Sequence, residues 1–260
     1  MKLELIHKPA KGKAHPTPLL FVHGKWHGAW CWEENFLPFF AESGYDSYAL
    51  SLRGHANSEG KIWGADIADY VSDVAQIANG LRTPPVIIGH SMGGFITQKY
   101  LETHAPPAAV LLTSVPPYGL WPATFSLLRR HPLVVLKVLA QLRFYPVIET
   151  PALAHDALFS ADMPAEQVLT YQKRLNDESF RAYLDELGLN LIRTKRVKTP
   201  LLVIGAEKDS VISQKAVKDT AKAYGTHAEI FPGLAHDVML EAGWRSVAER
   251  MLIWFKEKNL

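Results

Sequence analysis

A chain of 260 residues with 48% hydrophobic and 21% charged residues can bury the core of one domain, or of one domain with an inserted subdomain. The 28 basic and 26 acidic residues leave a formal net charge of +2 and form no long basic block, so nucleic acid is not an expected partner. A single cysteine, Cys31, excludes an internal disulfide and is compatible with a reducing compartment.

The first residues of the chain carry no recognisable targeting signal. Residues 1–13, MKLELIHKPAKGK, are charged throughout and lack the apolar run and small-residue cleavage site of a secretory signal. The most apolar stretch, residues 132–142, is too short to cross a bilayer and is flanked by arginines. We therefore expect a cytoplasmic protein with no membrane span.

Short apolar runs bounded by turn residues predict strands. Runs of consecutive apolar residues suit strands that are covered on both faces, which is the condition of a parallel sheet between helices. These runs lie at residues 19–22, 48–50, 86–88, 109–112 and 201–204, and a further short strand is predicted at residues 228–231. Helical periodicity separates these runs, at residues 67–81, between Ser213 and Gly225, and at residues 244–255.

The alternation of strands and helices stops between residues 118 and 196. This segment has no convincing strand but has helical stretches at residues 127–142, 165–175 and 179–187. We therefore predict a core domain from residues 1–117 and 197–260, with residues 118–196 inserted as a helical cap. The cap is expected to cover the carboxyl edge of the sheet, where open α/β sheets bind their ligands.

The stretch VIIGHSMGG, residues 86–94, places Ser91 between a strand and a helix. A Gly-x-Ser-x-Gly pattern is weak evidence alone, but the strand before it and the helical period after it are the setting of a nucleophile elbow. A tight turn at Ser91 leaves no room for side chains two residues away, which explains Gly89 and Gly93. Ser91 is therefore predicted to be a nucleophile rather than a capping serine.

A serine hydroxyl needs a base to accept its proton and an acid to orient that base. In folds with this elbow the chain order is serine, acid, histidine. Asp209 follows the strand at 201–204, and His236 follows the strand at 228–231, so both are predicted to lie at the same sheet edge as Ser91. Glu207 and Asp237 compete with Asp209 for the role of the acid, and Asp209 is preferred.

The chain resembles the α/β-hydrolase superfamily over nearly its whole length. The matching segments, in order, are HGKWHGAWCWE at 23–33, SLRGHANSE at 51–59, GHSMGG at 89–94, GAEKDSVI at 205–212 and GLAHD at 233–237. The resemblance implies a mostly parallel eight-stranded sheet with helices on both faces, a helical cap and no cofactor. It also implies an oxyanion hole formed by the backbone N–H groups of Lys25 and Met92.

The segment at 23–33 most resembles the loop of small esterases related to plant methylesterases and hydroxynitrile lyases. The lyases differ by a threonine at the position of Gly24 and a lysine at that of Asp237, and both differences favour hydrolysis here. Ala56 stands in place of a glycine in the usual RGHG, which puts the conformation of that loop in question. The side chain of Lys25 is expected to point to solvent or the rim; alternatively, its ammonium recruits an anionic substrate.

His23 and His27 are four residues apart but are not expected to bind a metal, because no cysteine or carboxylate accompanies them and the oxyanion turn accounts for His23.

The sequence predicts a cofactor-independent serine hydrolase for small-molecule carboxylic esters or thioesters with an apolar acyl or alcohol part. Alternatives are a lactonase, a carbon–carbon bond hydrolase or a cofactor-free perhydrolase with the same triad. A further alternative is a ligand sensor that turns over slowly.

Overall fold

The computed structural model describes residues 1–260 and contains one seven-stranded sheet. Its strands are Leu5–Lys8 (β1), Leu19–Val22 (β2), Ser47–Leu50 (β3), Val86–His90 (β4), Ala109–Leu112 (β5), Leu201–Ala206 (β6) and Ala228–Phe231 (β7). The spatial order is β1-β3-β2-β4-β5-β6-β7, with β1 antiparallel to β3 and every other pair parallel. Every residue of β2, β4, β5 and β6 is buried, which confirms the mostly parallel α/β fold.

The sheet has one strand fewer than the eight implied by the family resemblance. Residues 9–18, PAKGKAHPTP, connect β1 to β2 and contain three prolines. This connection forms no strand. β1 itself is an edge strand with alternating exposed and half-buried residues, and it has no apolar run that would predict it.

Eleven α-helices pack with this sheet. They are Trp30–Glu33 (α1), Phe36–Glu42 (α2), Ile67–Gly80 (α3), Met92–Tyr100 (α4), Trp121–Arg130 (α5), Pro132–Gln141 (α6), Pro151–Leu158 (α7), Ala165–Gln172 (α8), Phe180–Leu184 (α9), Gln214–Ala223 (α10) and Trp244–Glu257 (α11). The predicted helices at 67–81, 213–225 and 244–255 are confirmed as α3, α10 and α11. The Ser213 side chain caps α10 by accepting from the N–H of Ala216, and Gly225 follows its end at a φ of +68°.

Residues 118–196 contain α5 to α9 and no strand. The prediction of a single helix over residues 127–142 was wrong, since α5 ends at Arg130 and α6 begins at Pro132. Proline is tolerated in the first turn of a helix but breaks its interior. The stretch at 179–187 is α9 followed by a wide turn over 185–189, and α7 was not predicted. The division into a core and a cap stays a prediction. None of the helices is long and apolar enough to cross a membrane.

The parallel strands bring the segments of interest to one edge. β2 leads into the loop of residues 23–27, β4 leads into Ser91, β6 leads toward Asp209 and β7 leads toward His236. Because the carboxyl ends of parallel strands share an edge of the sheet, side chains distant in sequence meet there.

Candidate active site

Ser91 lies in a strained turn between β4 and α4. Its backbone has φ +52° and ψ −118°, a conformation that costs a residue with a side chain about 1–3 kcal/mol. A Cβ on Gly89 would overlap the carbonyl of Gly93, and a Cβ on Gly93 would overlap the carbonyl of Val22. The two glycines therefore let α4 approach the sheet closely enough to hold the turn.

The structure brings Ser91, His236 and Asp209 into one hydrogen-bonded chain. Nε2 of His236 lies 2.9 Å from Oγ of Ser91, and Nδ1 of His236 lies 2.9 Å from Oδ2 of Asp209. The other carboxylate oxygen of Asp209 accepts from the N–H groups of Val211 and Ile212, each at 2.8 Å. These two bonds fix the carboxylate, so it can hold the imidazole with Nε2 toward the serine.

The two competing acids lie elsewhere. Glu207 is exposed, and its carboxylate accepts from the N–H of Gly233 at 3.0 Å. Asp237 is buried, and its Oδ2 lies 2.9 Å from Nε2 of His27; it forms no hydrogen bond with a ring nitrogen of His236. The geometry thus leaves Asp209 as the carboxylate on Nδ1 of His236.

Two opposing effects set the protonation of His236. Burial is the larger single effect and lowers the pKa, because it disfavours the charged imidazolium. The charge of Asp209, its hydrogen bond to Nδ1 and the charge of Asp237 together outweigh burial, so the pKa of His236 is raised on balance. The site therefore stabilises an imidazolium, which is the form that His236 would take after accepting a proton from Ser91.

The proposed oxyanion donors both have a free N–H. Neither Lys25 nor Met92 donates its backbone N–H to another group of the protein. Nδ1 of His23 lies 2.8 Å from the carbonyl oxygen of Gly24, and Nε2 of His23 accepts from the N–H of Leu52 at 3.0 Å. Because C=O and N–H of one peptide point in opposite directions, the bond to Gly24 also fixes the direction of the Lys25 N–H.

The same contacts account for the histidines of this loop. His23 uses both ring nitrogens in the bonds just described. The ring of His27 lies between the carbonyl oxygen of Lys25, 2.6 Å from Nδ1, and the carboxylate of Asp237. The two rings therefore do not converge on a common ligand position.

The side chain of Lys25 is buried, and the prediction that it points to solvent or the rim was wrong. Its ammonium forms an ion pair with Glu186 in the turn after α9. Burial raises the pKa of Glu186 to about 7, although Lys25 opposes that shift. A second buried pair joins Nε2 of His55 to Glu178 at 3.2 Å. The sequence motifs contain Lys25 and His55 but give no sign of their partners, which lie in segment 118–196.

The Lys25–Glu186 pair supports a stability prediction. At pH 8, Glu186→Gln is expected to lower the free energy of unfolding by about 3–5 kcal/mol, because it leaves a buried ammonium without its counter-charge. The double variant Lys25→Met/Glu186→Gln is expected to recover most of the loss, since it removes both charges. Urea unfolding monitored by tryptophan fluorescence measures both. Equal midpoints for wild type and Glu186→Gln would contradict the prediction.

Ala56 adopts the conformation that the usual glycine would favour. Its φ is +45°, and it is exposed. Gly54, two residues earlier, has φ +74°, and a Cβ there would lie 2.5 Å from the backbone nitrogen of Ile62. The loop therefore keeps its left-handed turn despite the alanine.

An apolar cavity lies beside the oxyanion loop and beneath the helices of segment 118–196. Trp26 and the buried side chain of Lys25 line it on one side, and the inner face of α5 lines it on the other. Further lining residues are Phe144, Val147, Ala157, Tyr183 and Val211. Ser91 and His236 are almost completely buried and do not line this cavity, whereas Ser210 and Val211, which follow Asp209 in the chain, do.

The chain is similar in sequence to known hydrolases. The model of the alpha/beta hydrolase family matches residues 19–250. A monoacylglycerol lipase of Mycolicibacterium smegmatis is 28% identical over 228 residues, 83% of this chain and 79% of the lipase.

Two solved structures share the fold. An esterase from Exiguobacterium antarcticum superposes with a TM-score of 0.77 at 16% identity, covering 98% of this chain and 95% of the esterase. A bromoperoxidase from Bacillus anthracis has a TM-score of 0.72 at 19% identity, covering 98% of this chain and 96% of the bromoperoxidase. Since the family model spans most of the chain, this protein belongs to the alpha/beta hydrolase family.

Proposed function

We propose that the protein is a serine hydrolase that cleaves carboxylic esters or thioesters through an acyl-enzyme intermediate. The observation that carries the proposal is the continuous hydrogen-bonded chain from Oγ of Ser91 through His236 to Asp209, with both links at 2.9 Å. A nucleophile, a base and an orienting acid in this arrangement are what acyl transfer to serine requires.

The reaction follows from the roles of these groups. Oγ of Ser91 attacks the carbonyl carbon while Nε2 of His236 takes the hydroxyl proton, and Asp209 stabilises the resulting imidazolium. The imidazolium then gives its proton to the departing alcohol or thiol, leaving the acyl group on Ser91. A water that loses its proton to His236 attacks the acyl-enzyme, and the acid product leaves as Ser91 recovers its proton.

The N–H groups of Lys25 and Met92 would bind the negative oxygen of each tetrahedral intermediate. Loss of one such donor costs about 3–4 kcal/mol of transition-state stabilisation. The bonds on Gly24 and Lys25 carbonyl oxygens hold the loop before the substrate arrives, so little reorganisation is needed during the reaction.

The cavity supports a substrate with an apolar acyl or alcohol part. Most of its lining residues are hydrophobic, and its two cationic lining residues are both paired, Lys25 with Glu186 and Arg130 with Asp156. The names of the similar proteins, a monoacylglycerol lipase and an esterase, agree with ester hydrolysis. The pairing of Lys25 does not favour recruitment of an anionic substrate.

Turnover of p-nitrophenyl esters from acetyl to dodecanoyl, with matched thioesters, tests the proposal. We expect multiple turnovers and a distinct optimum in acyl length, because the cavity is bounded. Release of about one equivalent of p-nitrophenol followed by a halt would instead indicate a slow ligand sensor. No release from any ester would contradict ester hydrolysis.

The raised pKa of His236 leads to a prediction about pH. His236 must be neutral to accept the serine proton, so kcat/KM is expected to fall as the pH drops through its pKa. Because the pKa is raised from its ordinary value of 6.5, the midpoint of this fall should lie above pH 6.5. A pH profile of kcat/KM on a neutral ester measures it, and a midpoint well below 6.5 would contradict the account.

A further inference from the structure

Helices α5 and α6 present an apolar surface to the outside of the protein. We call it the α5–α6 face; its large side chains are 45% to 77% exposed and comprise Trp121, Phe125, Leu128, Leu133, Leu136, Leu139 and Leu142. Surface apolar residues scattered singly need no explanation, but a continuous group on two consecutive helices marks a binding surface.

Positive charge accompanies this apolar face. Residues 119–148 contain no aspartate or glutamate and four exposed cations, Arg129, Arg130, Lys137 and Arg143. Three of the cations pair with acids outside this range, Asp156, Glu149 and Asp177 respectively. Arg129 forms no ion pair and lies over the ring of Phe125, with 5.9 Å from Cζ to the ring centroid.

We propose that the α5–α6 face docks on the surface of a lipid bilayer that contains anionic lipids. Apolar side chains on helices rimmed by arginine and lysine are the composition that binds in the headgroup region of a membrane. A second copy of the chain fits less well, because residues 119–148 offer no acid to the unpaired Arg129 of another copy, whereas an anionic headgroup does. The proposal concerns binding and does not depend on ester hydrolysis.

The same helix would connect the bilayer to the cavity. Ala123, Thr124 and Leu127 on α5 line the apolar cavity beside Lys25, whereas Trp121, Phe125 and Leu128 of the same helix belong to the α5–α6 face. If the protein hydrolyses esters as proposed, only helix α5 would separate an amphiphilic ester in the bilayer from the apolar cavity.

Flotation with vesicles tests the docking proposal. Wild type is expected to bind vesicles of phosphatidylcholine and phosphatidylglycerol at 3:1 more tightly than vesicles of phosphatidylcholine alone. Leu133→Glu/Leu136→Glu should weaken binding at least tenfold, and Arg129→Gln about fivefold on the anionic vesicles only. The matched control Leu169→Glu/Ile253→Glu places the same charges on exposed leucine and isoleucine of α8 and α11 and should bind like wild type.

Several outcomes would overturn the proposal. The first is that wild type binds neither kind of vesicle, and the second is that it binds both equally. The third is that the control variant loses as much binding as Leu133→Glu/Leu136→Glu. A concentration-dependent dimer in sedimentation velocity that Leu133→Glu/Leu136→Glu abolishes would assign the face to a second copy instead. Urea unfolding midpoints of each variant show whether a loss of vesicle binding comes from the substituted surface or from unfolding of the protein.

A second, independent observation concerns two buried residues behind His236. Nδ1 of His27 lies 2.6 Å from the carbonyl oxygen of Lys25, and Nε2 of His27 lies 2.9 Å from Oδ2 of Asp237. A carbonyl oxygen only accepts, so Nδ1 of His27 carries a proton and donates it to Lys25. Burial alone would raise the pKa of Asp237, but the neighbouring His27 reverses this and the pKa is lowered on balance. The His27 ring therefore links the backbone of Lys25 to the Asp237 carboxylate.

We infer that the His27–Asp237 pair positions the oxyanion loop relative to the loop that carries His236. The pair joins residue 237 directly to the backbone of Lys25, whose N–H is a proposed oxyanion donor. The inference rests on the proposed ester hydrolysis. A positioning role differs from a purely structural one, because it affects the transition state more than the bound substrate.

The test compares Asp237→Asn with wild type and with Asp162→Asn, a control at an exposed aspartate. Asp237→Asn is expected to lower kcat about 10- to 100-fold with KM within twofold of wild type, and to weaken a boronic acid inhibitor in proportion to kcat. Adding His27→Gln should cause little further loss, since the pair acts as a unit.

Unchanged kcat in Asp237→Asn, or lower kcat with unchanged boronic acid affinity, would overturn this inference. Failure of the proposed hydrolysis is a different result, because wild type itself would then show no turnover.

Discussion

Ser91→Ala is expected to lower kcat/KM on the best p-nitrophenyl ester by about 10⁴-fold or more. The alanine removes the only oxygen that lies within hydrogen-bond distance of Nε2 of His236. Binding should change little, because the side chain is small and the strained turn is held by neighbouring contacts. The loss should therefore appear in kcat rather than KM, and steady-state kinetics with pre-steady-state bursts separate the two.

The control for this prediction is Ser246→Ala, at an exposed serine in the first turn of α11. It should leave kcat/KM unchanged within experimental error. Ser91→Ala with more than a tenth of wild-type kcat would mean that another group attacks the ester.

Asp209→Asn is expected to lower kcat about 10⁴-fold while the fold is preserved. An asparagine can still accept from the N–H groups of Val211 and Ile212, but it presents its NH₂ group to Nδ1 of His236. The imidazole would then carry its proton on Nε2, where it cannot accept the serine proton. Because burial lowers the pKa of His236 and Asp209 opposes it, the acid limb of the remaining activity should move to lower pH.

Glu207→Gln is the matched control, since Glu207 lies two residues from Asp209 and is exposed. Its kcat should stay within about threefold of wild type, because its carboxylate is bonded to the N–H of Gly233 and not to His236. An acid limb that stays in place in Asp209→Asn would show that Asp209 does not control the protonation of His236.

The strands most readily predicted from the sequence are those buried on both faces. β2 and β5 have the predicted bounds, because their apolar runs are unbroken and bounded by turn residues. β7 also has the predicted bounds, although Glu229 interrupts its apolar residues and all four of its residues are half-buried. The edge strand β1 could not be recognised, since half of its residues are exposed and no apolar run marks it. Pro132 indicates the break between α5 and α6, but the dense apolar pattern on both sides of it favoured one continuous helix.

The residues of the candidate site could be predicted from local sequence patterns, but the buried ion pairs around them could not. Ser91, Asp209 and His236 each follow a strand, so their shared sheet edge could be predicted from the order of the strands. Glu186 could not be predicted as the partner of Lys25, because the two lie 161 residues apart and no local pattern links them. The same holds for Glu178, which meets His55 only through tertiary packing.

The identity of the nucleophile is tested most directly by mapping a covalent adduct. After reaction with a fluorophosphonate and proteolysis, mass spectrometry is expected to find one adduct per chain, on the side chain of Ser91, and none in Ser91→Ala. An adduct on any other residue, or persistent labelling of Ser91→Ala, would contradict the proposed mechanism.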